Sequence, residues 1–451
     1  MNATLIKGAT IVSESRQSNS DILINDCYIA EILPAVQSGQ LPNNCNIIDA
    51  RGKILIPGVI DDHVHFREPG LTNKADIFSE SRAAVAGGIT SFMDMPNTQP
   101  QTITQQLLEE KYKTGASRSL INYSFYLGAT NDNLNELLKT NPSNVCGIKV
   151  FMGASTGNML VNKPKILEGI FKKAPLPVAV HCEDEETIIK NLEKFKQKYG
   201  DNVPVTCHPL IRNEESCYKS SAYAVELASK YGTRLHLLHL STAREMELLA
   251  SNIKPSDKKI TAEVCIHHLW FSDEDYTRLG NFIKWNPAIK SNADREGLWK
   301  GLLEGKIDVV ATDHAPHTFE EKQNTYLKCP SGSPLIQHSL VAMLQFYKQG
   351  KISLEEIVYK MCHTPADIFK IDRRGYIRKG YFADLVLIDI NHKWTVSKNN
   401  LLYKCGWSPF EGVEFSSSVT QTFVNGHLVF DNGTIDESNR GMRLHFNRES
   451  N

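Results

Sequence analysis

Short apolar runs recur along the middle of the chain, and most of the stretches between them carry the three-to-four-residue spacing of amphipathic helices. The runs are VIDDHVH, ITSFMDM, INYSFYLG, CGIKVFM, PVAVHCED, RLHLLHLS, ITAEVCIH and IDVVATDHAP, spread over residues 59–316. Helical patterns between or beside them include DEETIIKNLEKFKQKYG at 184–200, AVELASKYG and LWKGLLEG. A run apolar on both faces has a strand buried on both sides, and alternation with helices predicts parallel strands in βα units. Eight such units are the count of a (β/α)8 TIM barrel, a fold of roughly 250 residues. A doubly wound open sheet is the competing arrangement.

The two ends of the chain have another texture. TLIKGATIV, DILINDCYIAEIL and NIIDARGKILIP are β-branched, partly alternating and divided by polar turns. ADLVLIDI at 383–390 and SVTQTFVNGHLVFDNG at 418–433 repeat that pattern, the latter with an Asn-Gly turn between two apolar runs. The expected fold class is therefore α/β. Residues 57–365 form the barrel, and residues 1–56 with 366–451 form a small β-sandwich-like domain built from both chain ends.

Composition narrows the function classes. The chain has 451 residues and a formal net charge of -1, which gives no electrostatic footprint for a nucleic acid. No apolar stretch approaches the roughly 18 residues of a membrane span, and the N-terminus lacks a secretory apolar region. Ten cysteines are scattered without a CxxC pair, as expected of free thiols in a reducing cytoplasm.

A barrel of this kind collects its chemistry at the C-terminal ends of its strands. The first run ends in His63 and His65, which as residues i and i+2 of a strand point to one side. The fourth holds Lys149; the fifth ends at His181, the sixth at His239 and the eighth at Asp313. Taken singly, His181 or His239 reads as a hydrogen-bonded core histidine. Lys149 is harder to place, because a buried unpaired ammonium is costly, and a salt bridge with Asp313 is one escape. A joint metal site accounts for the whole set, since neutral imidazoles and a carboxylate are ordinary ligands of zinc or a similar divalent ion.

The segments PGVIDDHVHFREPG, AAVAGGITSFMDMPNT, GIKVFMGAS, VAVHCEDE, HLLHLSTA, AEVCIHHLWFS, KWNPAIKS and DVVATDHAPH resemble the dihydroorotases of the cyclic amidohydrolase superfamily, in family order. HFREPG and DMPNT are the more discriminating pieces. The resemblance implies two zinc ions, with His63, His65 and Asp313 on one and His181 and His239 on the other. Lys149, carbamylated by carbon dioxide, would bridge them.

The implied reaction interconverts L-dihydroorotate and N-carbamoyl-L-aspartate in pyrimidine synthesis, with Asp313 as the acid–base group. Arg67, Asn97 and His317 would surround the substrate carboxylate, and Asn286 would face the pyrimidine edge. Trp285 and Ala288 stand where the family pattern leads one to expect a methionine and a second proline. His267 and His268 lie past the seventh strand and read as structural or as supports behind the ligands. The segment 318–337 either covers the mouth or is a surface excursion. A homodimer is the expected assembly, with no nucleic acid or membrane partner. The rival activities are hydantoinase, dihydropyrimidinase or allantoinase, for whose neutral rings a carboxylate clamp is useless, and a non-catalytic scaffold, in which metal ligands are commonly lost.

Overall fold

A computed structural model describes residues 3–34, 45–153 and 159–448, so Ala154 and Ser155 of the GIKVFMGAS segment lie outside the described residues. Its centre is a row of parallel strands. They are β1 (Val59–Val64), β2 (Ile89–Asp94), β3 (Asn122–Phe125, continued by Leu127–Gly128) and β4 (Ile148–Phe151). Next come β5 (Val178–His181), β6 (Leu235–Leu237), β7 (Ile260–Cys265) and β8 (Val309–Ala311). Each pairs in parallel with the next. The first and last strands also meet just beyond their ends, through a parallel bridge between Val64 and His314 and a 2.7 Å bond from the His65 amide to the His314 carbonyl. All six residues of β1 and all six of β2 are buried, which is why these runs show no polar alternation.

Helices follow the strands where the 3.6-residue pattern places them. Ile77–Ala86 begins at a capping box of Asp76 and Ser79. Glu185–Tyr199 begins where the Asp184 side chain accepts from the Thr187 amide, and Glu214–Tyr231 ends at left-handed Gly232. Beneath the strands, Phe369 of the helix Thr364–Phe369 packs in one cluster with Ile60, Met93 and Tyr126. Leu444 and Phe446, from the far end of the chain, join the same cluster.

Strands from both termini interleave in a seven-stranded sheet. Ile54–Pro57 runs parallel to Thr10–Ser13 on one side and antiparallel to Leu385–Asp389 on the other. A four-stranded sheet of N-terminal segments faces it across a cluster that includes Ile6, Ile22, Ile24, Leu55, Leu387 and Phe423. The expected Asn-Gly turn is there: Val424 pairs with His427, and Asn425 and Gly426 both take positive φ, as a type I′ turn requires. The edge strand Arg16–Asn19 is exposed at every position, so no apolar pattern announces it. Among the described residues no helix is long and apolar enough to cross a membrane.

A buried polar knot joins the terminal sheet to β3. Asp384 binds Arg374, accepts from the Asn122 side chain and from the Asn425 backbone amide, and Arg374 also donates to the Asn425 side-chain oxygen Oδ1. Arg374 and Asp384 are both almost wholly buried. Asp384→Ala strands a buried guanidinium and is expected to cost about 3–5 kcal/mol, read as a lowered midpoint of thermal unfolding. An unchanged midpoint would show that the knot does not hold the sheets together.

Candidate active site

The ends of β1 and β8 bring three donors to one point. His63 Nε2 lies 3.3 Å and His65 Nε2 3.1 Å from the same Asp313 oxygen, Oδ1. On the neighbouring strands His181 Nδ1 and His239 Nε2 are 2.9 Å apart. Two ring nitrogens that close, each flanked by cations that disfavour protonation, are placed as ligands usually are around a shared ion. Lys149 lines the same cavity, its ammonium 4.6 Å from the Phe151 ring centre. All six sequence-predicted ligands line one cavity of about 190 Å³. Arg67, Asn97, Asn286 and His317 line it too, whereas His267 and His268 do not.

The backbone is strained where these side chains turn inward. Arg67, His239 and Asp313 have φ of 67°, 39° and 46°, a region that side chains other than glycine's rarely adopt. Asp61 holds the seam between the first and last strands. Its carboxylate accepts from the Thr312 hydroxyl at 2.6 Å and from the amides of Thr312 and His63. Gly70 lets the Arg67 loop touch the Asn97 loop, since a Cβ at its φ of +82° would lie 1.9 Å from the Gln99 carbonyl oxygen.

Several supporting groups escape sequence reading. Glu263, the one charged side chain in the apolar ITAEVC run, accepts from His63 Nδ1 at 2.5 Å and from the His239 amide at 2.9 Å. That leaves His63 Nε2 as the free lone pair, the usual outer-shell arrangement of a metal-ligating histidine. Asn97 plays the same part for His65, with its Oδ1 2.8 Å from His65 Nδ1. Its amide nitrogen remains as a donor. Glu183 meets His181 Nε2 at 2.9 Å and is itself held by Arg212. The lone signal for Glu183 in the sequence is its place two residues after a strand-end histidine.

Burial sets most of the protonation states. It drives His65 down to about 4 and lowers His181 and His239, keeping three imidazoles neutral and able to ligate. Burial also draws His63 toward neutrality, but Glu263 and Asp313 outweigh it and raise its pKa. Burial opposes the Asp313 carboxylate too, yet His63 and His65 hold its pKa below the usual value. The Lys149 amine is pulled by burial down to about 8, opposed by Glu263 and Asp313.

The segment 318–337 is a wall of the cavity, to which it contributes Pro330, Ser331 and Gly332. Two buried lysines pin it. Lys322 Nζ donates to the carbonyls of Lys284, Pro330 and Gly332 at 2.9–3.3 Å, one for each ammonium hydrogen. Lys284 Nζ donates to the carbonyls of Tyr326 and Cys329. In the sequence both lysines look like ordinary surface charges.

Comparison with known proteins agrees with this architecture. The profile of the amidohydrolase family matches residues 54–429. A dihydroorotase of Methanothermobacter thermautotrophicus is 31% identical over 396 residues, 87% of this chain and 88% of that one. A dihydroorotase of Halobacterium salinarum is 33% identical over 383 residues, 84% of this chain and 87% of its own. Among solved structures, L-hydantoinase (dihydropyrimidinase) from Arthrobacter aurescens superposes with a TM-score of 0.91 at 28% identity, covering 97% of this chain and 98% of that one. The dihydropyrimidinase of Brevibacillus agri shares the fold, with a TM-score of 0.85 at 23% identity over 96% of each chain. The chain belongs to the amidohydrolase family, and within it to the dihydroorotases.

Proposed function

We propose that this protein is a dihydroorotase whose eight central strands close as a (β/α)8 barrel spanning residues 57–365. Residues 1–56 and 366–451 form the accompanying β domain, although Leu444 and Phe446 pack beneath the barrel. The observation that carries the substrate reading is Arg67. Its guanidinium is buried at the cavity wall, donates to the Pro316 carbonyl and contacts His317, yet makes no ion pair among the described residues. A buried cation without a carboxylate is costly, and an anionic ligand removes that cost. Dihydroorotate and N-carbamoyl-L-aspartate carry such a carboxylate; hydantoin, dihydrouracil and allantoin do not.

The donor set fits two divalent ions. His63, His65 and Asp313 would hold one, His181 and His239 the other, and Lys149 as its carbamate would join them. We take the ions to be zinc, from the imidazole-rich set. When bound, such ions supply Lewis acidity at the scissile carbonyl and lower the pKa of water. Lys149 suits carbamylation because the unprotonated amine is the form that attacks carbon dioxide.

The chain's own groups do the rest. Arg67, the Asn97 amide and His317 grip the carboxylate, and Asn286 faces the ring edge. This orients the ring amide toward Asp313, whose Oδ2 takes no hydrogen bond among the described residues. In ring opening Asp313 accepts the proton of the attacking water. As the C–N bond breaks it passes that proton to the departing nitrogen, giving N-carbamoyl-L-aspartate. In ring closure it takes the proton from the carbamoyl nitrogen as the C–N bond forms and delivers it to the departing carboxyl oxygen, which leaves as water. The wall pinned by Lys322 and Lys284 stands ready-made beside the bound ring, which reduces the ordering that binding requires.

The hydantoinase reading has one observation in its favour, the 0.91 superposition on L-hydantoinase. The unpaired Arg67 weighs against it. With zinc-loaded enzyme, L-dihydroorotate turns over and dihydrouracil does not. Asp313→Ala loses about 10³-fold in kcat, and Arg67→Ala loses about 10²-fold in kcat/KM. A wild type that prefers dihydrouracil would sink the substrate assignment while sparing the metal chemistry. Lys322→Met is expected to raise KM about tenfold, having removed three charge-assisted bonds from the wall. It also speeds amide hydrogen exchange in 325–333; unchanged exchange would mean the wall holds without its pin.

A further inference from the structure

His317 has polar neighbours at both ring nitrogens, and they cannot all be satisfied at once. Nδ1 lies 3.0 Å from Lys74 Nζ and 3.5 Å from a Glu321 oxygen. Nε2 lies 3.0 Å from the Ser331 carbonyl oxygen and 3.0 Å from Arg67 Nη2. Lys74 also pairs with Glu321 at 2.8 Å. A neutral imidazole has one N–H and one lone pair, so its proton sits on one side or the other.

With the proton on Nε2, the ring donates to Ser331 and its Nδ1 accepts from the Lys74 ammonium. Both are good bonds at 3.0 Å. With the proton on Nδ1, an N–H faces an ammonium and a lone pair faces a carbonyl oxygen. The compensation is then the Arg67 contact and the long approach to Glu321. Protonating both nitrogens sets a further positive charge between Arg67 and Lys74, with Lys322 close by and Glu321 as the nearest acid. Hydrogen-bond accounting therefore selects the Nε2–H form.

That choice has a consequence at the cavity wall. Arg67 Nη2 and His317 Nε2 become two donors 3.0 Å apart, neither able to accept from the other. The one Nε2–H is already on the Ser331 carbonyl, so a carboxylate oxygen lying against both groups accepts from Arg67 Nη2 and shares the His317 hydrogen with Ser331.

We infer that Lys74 is a positioning residue: its ammonium fixes His317 as the Nε2–H tautomer, so that Arg67 and His317 present adjacent donors to the ligand's carboxylate. The inference rests on the carboxylate reading of Arg67. Lys74 acts from outside the cavity lining, through the far nitrogen of a side chain that is in it.

Lys74→Met and Lys74→Gln separate a tautomer effect from a charge effect, because glutamine keeps a donor for Nδ1 and loses the charge. In holoenzyme labelled with nitrogen-15 histidine, the His317 ring signals are assigned by their loss in His317→Asn and report which nitrogen carries the proton. Wild type and Lys74→Gln should carry it on Nε2, while Lys74→Met moves it at least partly to Nδ1. KM for L-dihydroorotate should rise about tenfold in Lys74→Met, the loss of about one hydrogen bond to a charged group. It should stay near the wild-type value in Lys74→Gln, with kcat within about twofold in both. The inference is overturned by a wild-type proton on Nδ1, by an unchanged tautomer in Lys74→Met, or by Lys74→Gln weakening binding as much as Lys74→Met. A wild type inert toward dihydroorotate would fault the substrate reading alone, since the ring spectra would still decide the role of Lys74.

Discussion

The site depends on the seam where the first strand of the central row meets the last. Asp61, buried within β1, accepts from the hydroxyl and amide of Thr312, and so holds the turn after β8 against the strand that carries His63 and His65. Asp313 is the next residue, and it arrives with a positive φ that aims its carboxylate at both imidazoles. With the Val64–His314 bridge and the bond from the His65 amide to the His314 carbonyl, that contact fixes residues 250 positions apart in the chain relative to one another. Burial raises Asp61 to about 7, so the seam binds a carboxyl group that its hydrogen bonds help to keep in place.

From the seam outward, three of the four proposed ligating histidines are fixed by a neighbour at one ring nitrogen that leaves the other facing the site. Glu263 serves His63, Asn97 serves His65, and Glu183 with Arg212 serves His181. The same logic extends to the substrate wall, where ammonium groups take the place of carboxylates. Lys322 and Lys284 gather carbonyls, and Lys74 faces His317. One side of the cavity is thus rich in ionisable donors suited to cations. The other presents the buried Arg67 guanidinium, suited to an anion. A cyclic amide bearing a carboxylate meets both demands, and a neutral ring meets one.

Much of this was legible in the sequence for a definite physical reason. Strands buried on both faces must be apolar, so a histidine, lysine or aspartate in or just after them stands out; the six singled out line the cavity, whereas Asp94 at the end of β2 pairs with Lys111 instead. The Asn425–Gly426 turn was legible because it demands φ values that few residues accept. What stayed hidden has its meaning only in three dimensions. Lys322 lies in the charged stretch FEEKQNTYLKC and looks solvated, yet it is buried beneath a wall built from the same segment. Arg16–Asn19 pairs as a strand with no buried face to pattern it. Asn97 lines the cavity, and the bond of its oxygen to His65 joins residues 32 apart in the chain that no spacing rule would pair.

The central claim is that five strands converge on a two-ion centre joined through Lys149. Its most direct test is metal content with carbon dioxide incorporation, measured on protein refilled with zinc in the presence of carbon-13 bicarbonate. The account predicts about two ions per chain and a carbamate carbon signal, with both the signal and one ion lost in Lys149→Met. A full complement of ions in Lys149→Met, or no carbamate signal in the wild type, would contradict it.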